Sequence, residues 1–378
     1  MAKVCVFCGA KPNGKTKEHV VPRWLIELTG NPKREVFLGF EKKPQAKQRR
    51  FAFDQFTFPA CDACNNKYAN LEGTVKPVLT KILGDQDVTV HELNKFLDWL
   101  DKVRVGLWLG MIQLDKNYAG IEPNFHIETR ISQYDRMLIV EKTNTSKCKL
   151  NFGGIDALSF SLTPSAFVLI VNNYYFTNIS YMFLLHRRLG FPYPQSMHLE
   201  SGREQVEAVF AEGKCRVMRP VLRKAIKEKG AVIYQPMFRC GLMDAGSLEY
   251  KNEYMKKHSM DFENGVGNIF SQDKSDVIEH DACESLNLTP DVIQDDENLF
   301  IRSAIHISEW QNWLTQFLPS TDRLSRDERI FVRERFKAGV KVNNLLIEHH
   351  KSILKKLARN FIRFHLLNVS PALGHTIA

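Results

Sequence analysis

The period of the apolar pattern changes several times along the chain. Leu93, Phe96, Leu97, Leu100, Val103, Leu107 and Met111 recur at helical spacing, and Trp99 and Trp108 widen their face. This predicts a core-packed connecting helix in residues 83–118. Residues 1–82 read as two strands and a helix. His19-Val20-Val21 is short and β-branched, and Pro22 ends it. Trp24, Leu25 and Leu28 then give an amphipathic turn. Phe51, Phe53, Phe56 and Phe58 nearly alternate with smaller or polar residues, as a second strand would. Tyr68, Leu71, Val75 and Leu79 share one face of a helix predicted to begin near Asp62, whose carboxylate can cap its first turn.

Beyond the connecting helix the pattern turns strand-rich. Residues 137–140, 158–162, 167–171, 174–178 and 232–235 are short β-type runs, and 205–212 and 221–229 read as helices. Residues 261–298 carry many carboxylates and few aromatics, which predicts an acidic, loop-rich boundary with short helices. Residues 299–378 return to helices. Trp310, Trp313, Leu314 and Phe317 form one face, and the last helix, 341–367, is amphipathic and basic. There is no glycine-rich phosphate loop.

A chain of 378 residues has room for two or three domains. Its net charge of +9 suits a polyanionic partner. No apolar run is long enough to span a bilayer and no signal peptide is present, so no membrane role is expected. Of the eight cysteines, Cys148, Cys215, Cys240 and Cys283 are scattered, which fits a reducing cytoplasm better than a disulfide scaffold. The other four form two Cys-x2-Cys pairs, Cys5 with Cys8 and Cys61 with Cys64, the sequence form of a closed tetrahedral zinc site. The 52 residues between the pairs exceed the usual ribbon spacing. Within them Lys33, Arg34, Lys42, Lys43, Lys47, Arg49 and Arg50 form either a phosphate-binding loop or an ordinary solvated one.

Cys-x2-Cys, then Glu18-His19-Val20-Val21-Pro22, then Cys-x2-Cys-Asn65-Asn66-x-Tyr68 together resemble an HNH endonuclease of the zinc-containing ββα-metal type, over residues 1–82. The resemblance implies that His19 is the general base that activates water. It implies that Glu18 and Asn65, with Asn66 as a fallback for Asn65, hold one exchangeable Mg²⁺ or Mn²⁺. Lys47, Arg49, Arg50 and Lys67 are the residues expected on nucleic acid. One position departs from the pattern. Phe56 stands where the family has the Asn that orients the histidine, and Asp54, Gln55 or Thr57 are the residues left to do so.

The fold class expected is α+β. A small zinc-bound ββα-metal module (1–82) and a connecting helix (83–118) precede an α+β region of unknown role (119–260). The acidic boundary (261–298) and a helical basic C-terminal region (299–378) follow. The function expected is metal-dependent hydrolysis of DNA phosphodiesters, with defence against foreign DNA as an analogy such families offer. Two other classes stand beside it. One is a zinc-stabilised nucleic-acid-binding protein with a degenerate centre. The other is an RNA-directed toxin or effector nuclease whose activity, and any regulatory partner, belong to residues 119–378.

Overall fold

The computed structural model describes residues 4–12, 16–38, 49–114, 123, 125–146, 148–155, 165–202, 206–218, 230–239, 252–273, 276–294 and 296–368. Strand β1 (Lys17–His19), helix α1 (Arg23–Leu28), strands β2 (Glu35–Leu38), β3 (Arg49–Ala52) and β4 (Thr57–Pro59), and helix α2 (Asp62–Leu83) come first. After β5 (Val88–Thr89), helix α3 spans Val90–Leu114, and every residue from Trp99 to Met111 is buried. A helix buried on all sides belongs in the interior, between layers. On one side α3 meets α2, β1 and β4. A Cβ on Gly106 would lie 2.6 Å from Val20 Cγ1, and one on Gly110 would lie 2.6 Å from the Phe58 ring. Only glycine lets the β1–β4 ribbon come this close to the helix.

The other side of α3 packs on a sheet. Strands β6 (Asp135–Thr143), β7 (Leu150–Gly153), β8 (Ala166–Val171) and β9 (Tyr174–Tyr181) are followed by α4 (His186–Leu189) and the β10–β11 ribbon (Tyr193–Leu199 and Val206–Ala211). Next come β12 (Ala231–Gln235), α5 (Glu253–Lys257), β13 (Ser259–Asp261), β14 (Val266–Gly267), β15 (Ile269–Asp273), β16 (Asp276–His280), β17 (Ser285–Leu286) and β18 (Val292–Ile293). The sheet order is β16-β15-β12-β6-β9-β8-β7, antiparallel throughout, with β18 added parallel to the end of β6. Leu138, Val140 and Phe176 point to α3, while Met137, Ile139 and Tyr175 share a core with helix α6 (Asp296–Leu314). Burial on both faces is why 137–140, 167–171 and 174–178 read as unbroken apolar runs. Helix α7 (Arg326–Asn368) packs on α6. No helix among the described residues is long and apolar enough to cross a membrane.

The pattern misled in several places. Residues 206–211, expected as helix, form β11 antiparallel to β10, since their burial alternates with period two. The acidic segment 261–298 holds the end of β13 and strands β14 to β18 between its loops, in place of the short helices expected. There β16 is an outer strand of the sheet, and charge on such an edge resists further pairing. The expected strand through Phe51 to Phe58 is broken by a 3₁₀ turn at Phe53–Gln55. The N-cap of α2 is Cys61, with no side-chain cap, and Asp62 sits inside the first turn, where its charge favours the helix dipole. Helix α7 begins well before residue 341. The runs at 158–162 and 221–229 lie outside the described residues. Nor does packing divide at residue 82. One core runs from Cys5, Phe7 and Val20 through α2 and α3 to Leu138, Phe176 and Ile269 on the sheet.

Buried charge fastens the layers. Arg136 on β6 donates to Asp98 at 2.5 Å and to Asn94 at 2.9 Å, both on α3. Behind the sheet, His186 is fully buried, with Nδ1 2.7 Å from the Pro192 carbonyl and Nε2 3.3 Å from both the Met237 carbonyl and Asp135 Oδ1. Both ring nitrogens face acceptors, so both carry protons. Burial opposes the charged ring, but Asp135 and the two carbonyls outweigh it and raise its pKa. A group whose folded pKa exceeds its unfolded value of about 6.5 stabilises fully below that pH, and the contribution is lost as pH rises through the folded pKa. The stability measured by urea unfolding should therefore fall as pH rises above about 6.5. His186→Gln should flatten that fall. An identical pH slope in the variant would show that the ring is not the titrating group.

Candidate functional site

Two turns bring the four cysteines together. The first is Cys5 to Cys8, where the Gly9 amide donates to the Cys5 carbonyl at 2.9 Å. The second is the start of α2, with Cys61 as N-cap and Cys64 in the first turn. Val6 N–H donates to the Pro59 carbonyl at 3.1 Å, which ties the first turn to the end of β4. The Cys61 amide donates to Cys5 Sγ at 3.3 Å. All four sulfurs lie within 4.8 Å of one another and could hold a metal ion such as zinc. Burial, followed by the charges of Cys5 and Cys8, pushes the Cys64 thiol up to about 12. Cys64 therefore keeps its proton until a cation replaces it, and metal binding there must release acid.

The ribbon next to this cluster carries His19. Strands β1 and β4 pair antiparallel, with His19 opposite Thr57 and Glu18 opposite Phe58, and α2 follows within two residues. His19 is half-buried, and its Nε2 lies 2.9 Å from the main-chain carbonyl of Asp54. That carbonyl belongs to the 3₁₀ turn, which is itself held by Phe53 N–H on the Arg34 carbonyl and Asp54 N–H on the Pro32 carbonyl. A carbonyl only accepts. In the neutral ring, Nε2 therefore carries the proton and Nδ1 the lone pair. Of the residues left to orient His19, Asp54 does so, through its backbone. Asn65 is half-buried in the first turn of α2, and Asn66 beside it is exposed.

Glu18 faces the other way. Successive residues of a strand point to opposite faces, and Glu18 is buried, with Oε1 2.5 Å from Nζ of Lys102 on α3. Lys102 is fully buried and also bonds Glu72 on α2. Burial, opposed by Lys102 and reinforced by Glu18, pushes the Glu72 carboxyl up. The carboxylate that the resemblance assigns to a divalent ion is thus taken by an ammonium. The cysteine quartet is the one group of three or more His, Cys, Asp or Glu ligand atoms brought together among the described residues. Glu18, buried and paired with Lys102, does not fit a hydrated Mg²⁺ or Mn²⁺. Sequence reading missed both Lys102 and Glu72. The available signals were a charged pair, Asp101-Lys102, inside the apolar stripe of α3, and a carboxylate two helical turns after Asn65.

The described basic residues sit in separate settings. Arg34 donates to the Ile26 and Asn31 carbonyls, each at 3.0 Å, and so closes the end of α1. Arg50 pairs with Glu35 across the β2–β3 ribbon. Lys67 is exposed and pairs with Glu128 at 2.6 Å. Arg49 lies on β3, and Lys42, Lys43 and Lys47 lie outside the described residues. Neutralising Lys47, Arg49 and Arg50 together should weaken nucleic-acid binding equally at every sequence. The log–log salt slope should drop by about 0.9 for each duplex phosphate that is no longer neutralised. A slope unchanged by the triple substitution would mark the loop as merely solvated. In comparisons with protein-family models, curated proteins and solved structures, nothing matches this chain.

Proposed function

We propose that residues 1–82 form a nucleic-acid-cleaving centre of the HNH endonuclease type, acting on DNA, with His19 as general base. The observation that supports this most is the 2.9 Å approach of His19 Nε2 to the Asp54 carbonyl. It fixes the tautomer and leaves Nδ1, on a half-buried face, free to take a proton from water as the water's oxygen attacks phosphorus. The ribbon under His19 is short, so its aim depends on its neighbours: Gly106 and Gly110 of α3, the 3₁₀ turn, and a zinc ion in the cysteine quartet. The +9 charge would draw the polyanion to the protein.

One observation favours a second reading, nucleic-acid binding without cleavage: the Glu18 carboxylate is held by Lys102. Plasmid and single-stranded DNA, incubated with the protein with no added divalent ion, with Mg²⁺ and with Mn²⁺, separate the two. The nuclease reading expects nicked or linear plasmid. Gel retardation of DNA that stays intact under all three conditions would favour the second reading and overturn the first.

A further inference from the structure

The cation that the resemblance puts on Glu18 and the cation the fold supplies there are different. Lys102 reaches Glu18 from α3, 84 residues further along the chain, and its ammonium also holds Glu72 from α2. One buried group thus joins β1, α2 and α3, beneath the Phe7 ring of the first cysteine turn, whose centroid lies 5.8 Å from Nζ. An ammonium is a compact point charge with three donors, and two carboxylates accept from it here. Mg²⁺ is different, because it dehydrates reluctantly and keeps several waters. With Lys102 in place, Glu18 at 7% exposure has no room for such a shell. Strand alternation also sets Glu18 on the face away from the lone pair of His19.

We propose that Lys102 is the fixed cation of this centre: its ammonium holds Glu18, keeps divalent ions off that carboxylate, and clamps the His19 strand to α2 and α3. Lys102 is then a positioning residue, and Glu18 is not a metal ligand. The inference rests on the nuclease-type reading only in naming Glu18 as the expected ligand. Its test reads metal binding rather than cleavage, so either idea can fail alone.

The experiment is Mn²⁺ titration of the zinc-loaded full chain, followed by the paramagnetic resonance signal of free Mn²⁺. Glu18→Gln should bind as much Mn²⁺ as wild type. Lys102→Met should gain about one Mn²⁺ per chain, as expected when two facing carboxylates lose their cation, and the double variant Lys102→Met with Glu18→Gln should lose it again. Zinc content and circular dichroism identify a variant that fails to fold. Should Lys102→Met unfold, the comparison of Glu18→Gln with wild type decides alone, since Gln keeps the shape of Glu. A Mn²⁺ site present in wild type and absent in Glu18→Gln overturns the proposal. So does a folded Lys102→Met protein that gains no Mn²⁺.

Discussion

Replacing Cys8 or Cys64 with serine is expected to remove the metal and the N-terminal fold together. Strands β1 and β4 are three residues each, and a ribbon that short does not stand alone in water. What holds it is the cysteine quartet, with all sulfurs within 4.8 Å and able to take a metal ion, and the face of α3 beneath it. Structural zinc sites contribute apparent binding free energies of about 10–16 kcal/mol in zinc-finger peptides, against a total stability of about 5–15 kcal/mol for a typical domain. The loss cannot stay within residues 4–83, because one apolar core joins them to α3 and the sheet. Elemental analysis should find one zinc per wild-type chain and none in Cys64→Ser. The variant should also lose helical circular dichroism from α2 and bind a hydrophobic dye on the uncovered face of α3. Freshly purified, folded wild-type protein without zinc would contradict this.

How much of the site is legible in the sequence depends on how each part is encoded. The cysteine pairs and the Glu-His-Val-Val-Pro run are written in side-chain identities a few residues apart, so both are legible. The orientation of His19 is legible only as a choice among Asp54, Gln55 and Thr57. The group that does it is a main-chain carbonyl, which every residue has. The pairing of Glu18 with Lys102 is not legible, because it depends on α3 running beneath β1, a matter of tertiary packing across 84 positions. The same holds for Arg34, which looks like a phosphate ligand in the sequence and instead closes α1. In the fold, the long stripe of α3 and the doubly buried runs of β6, β8 and β9 stand out. Six residues at 206–211 carry too few positions to separate a period of two from one of 3.6. Pairing with β10 decides the matter.

His19→Ala is the substitution with the largest expected effect on activity. The side chain is half-buried, belongs to no metal cluster among the described residues, and is held by the Asp54 carbonyl. Its removal should leave zinc content, folding and DNA affinity near wild type and delete only proton transfer from the attacking water. General-base catalysis is worth about 10²–10⁴-fold, so cleavage should fall by at least about a hundred-fold. Glu18→Gln should act by another route: with Lys102 left facing one charged partner fewer, the ribbon should loosen and thermal stability drop. The most direct test of the nuclease reading is plasmid cleavage by wild type and His19→Ala side by side, at equal zinc content and in added Mg²⁺. The account predicts nicking by wild type and none above background by the variant. Cleavage by His19→Ala within a few-fold of wild type would contradict it and move the search for the active centre to residues 119–378.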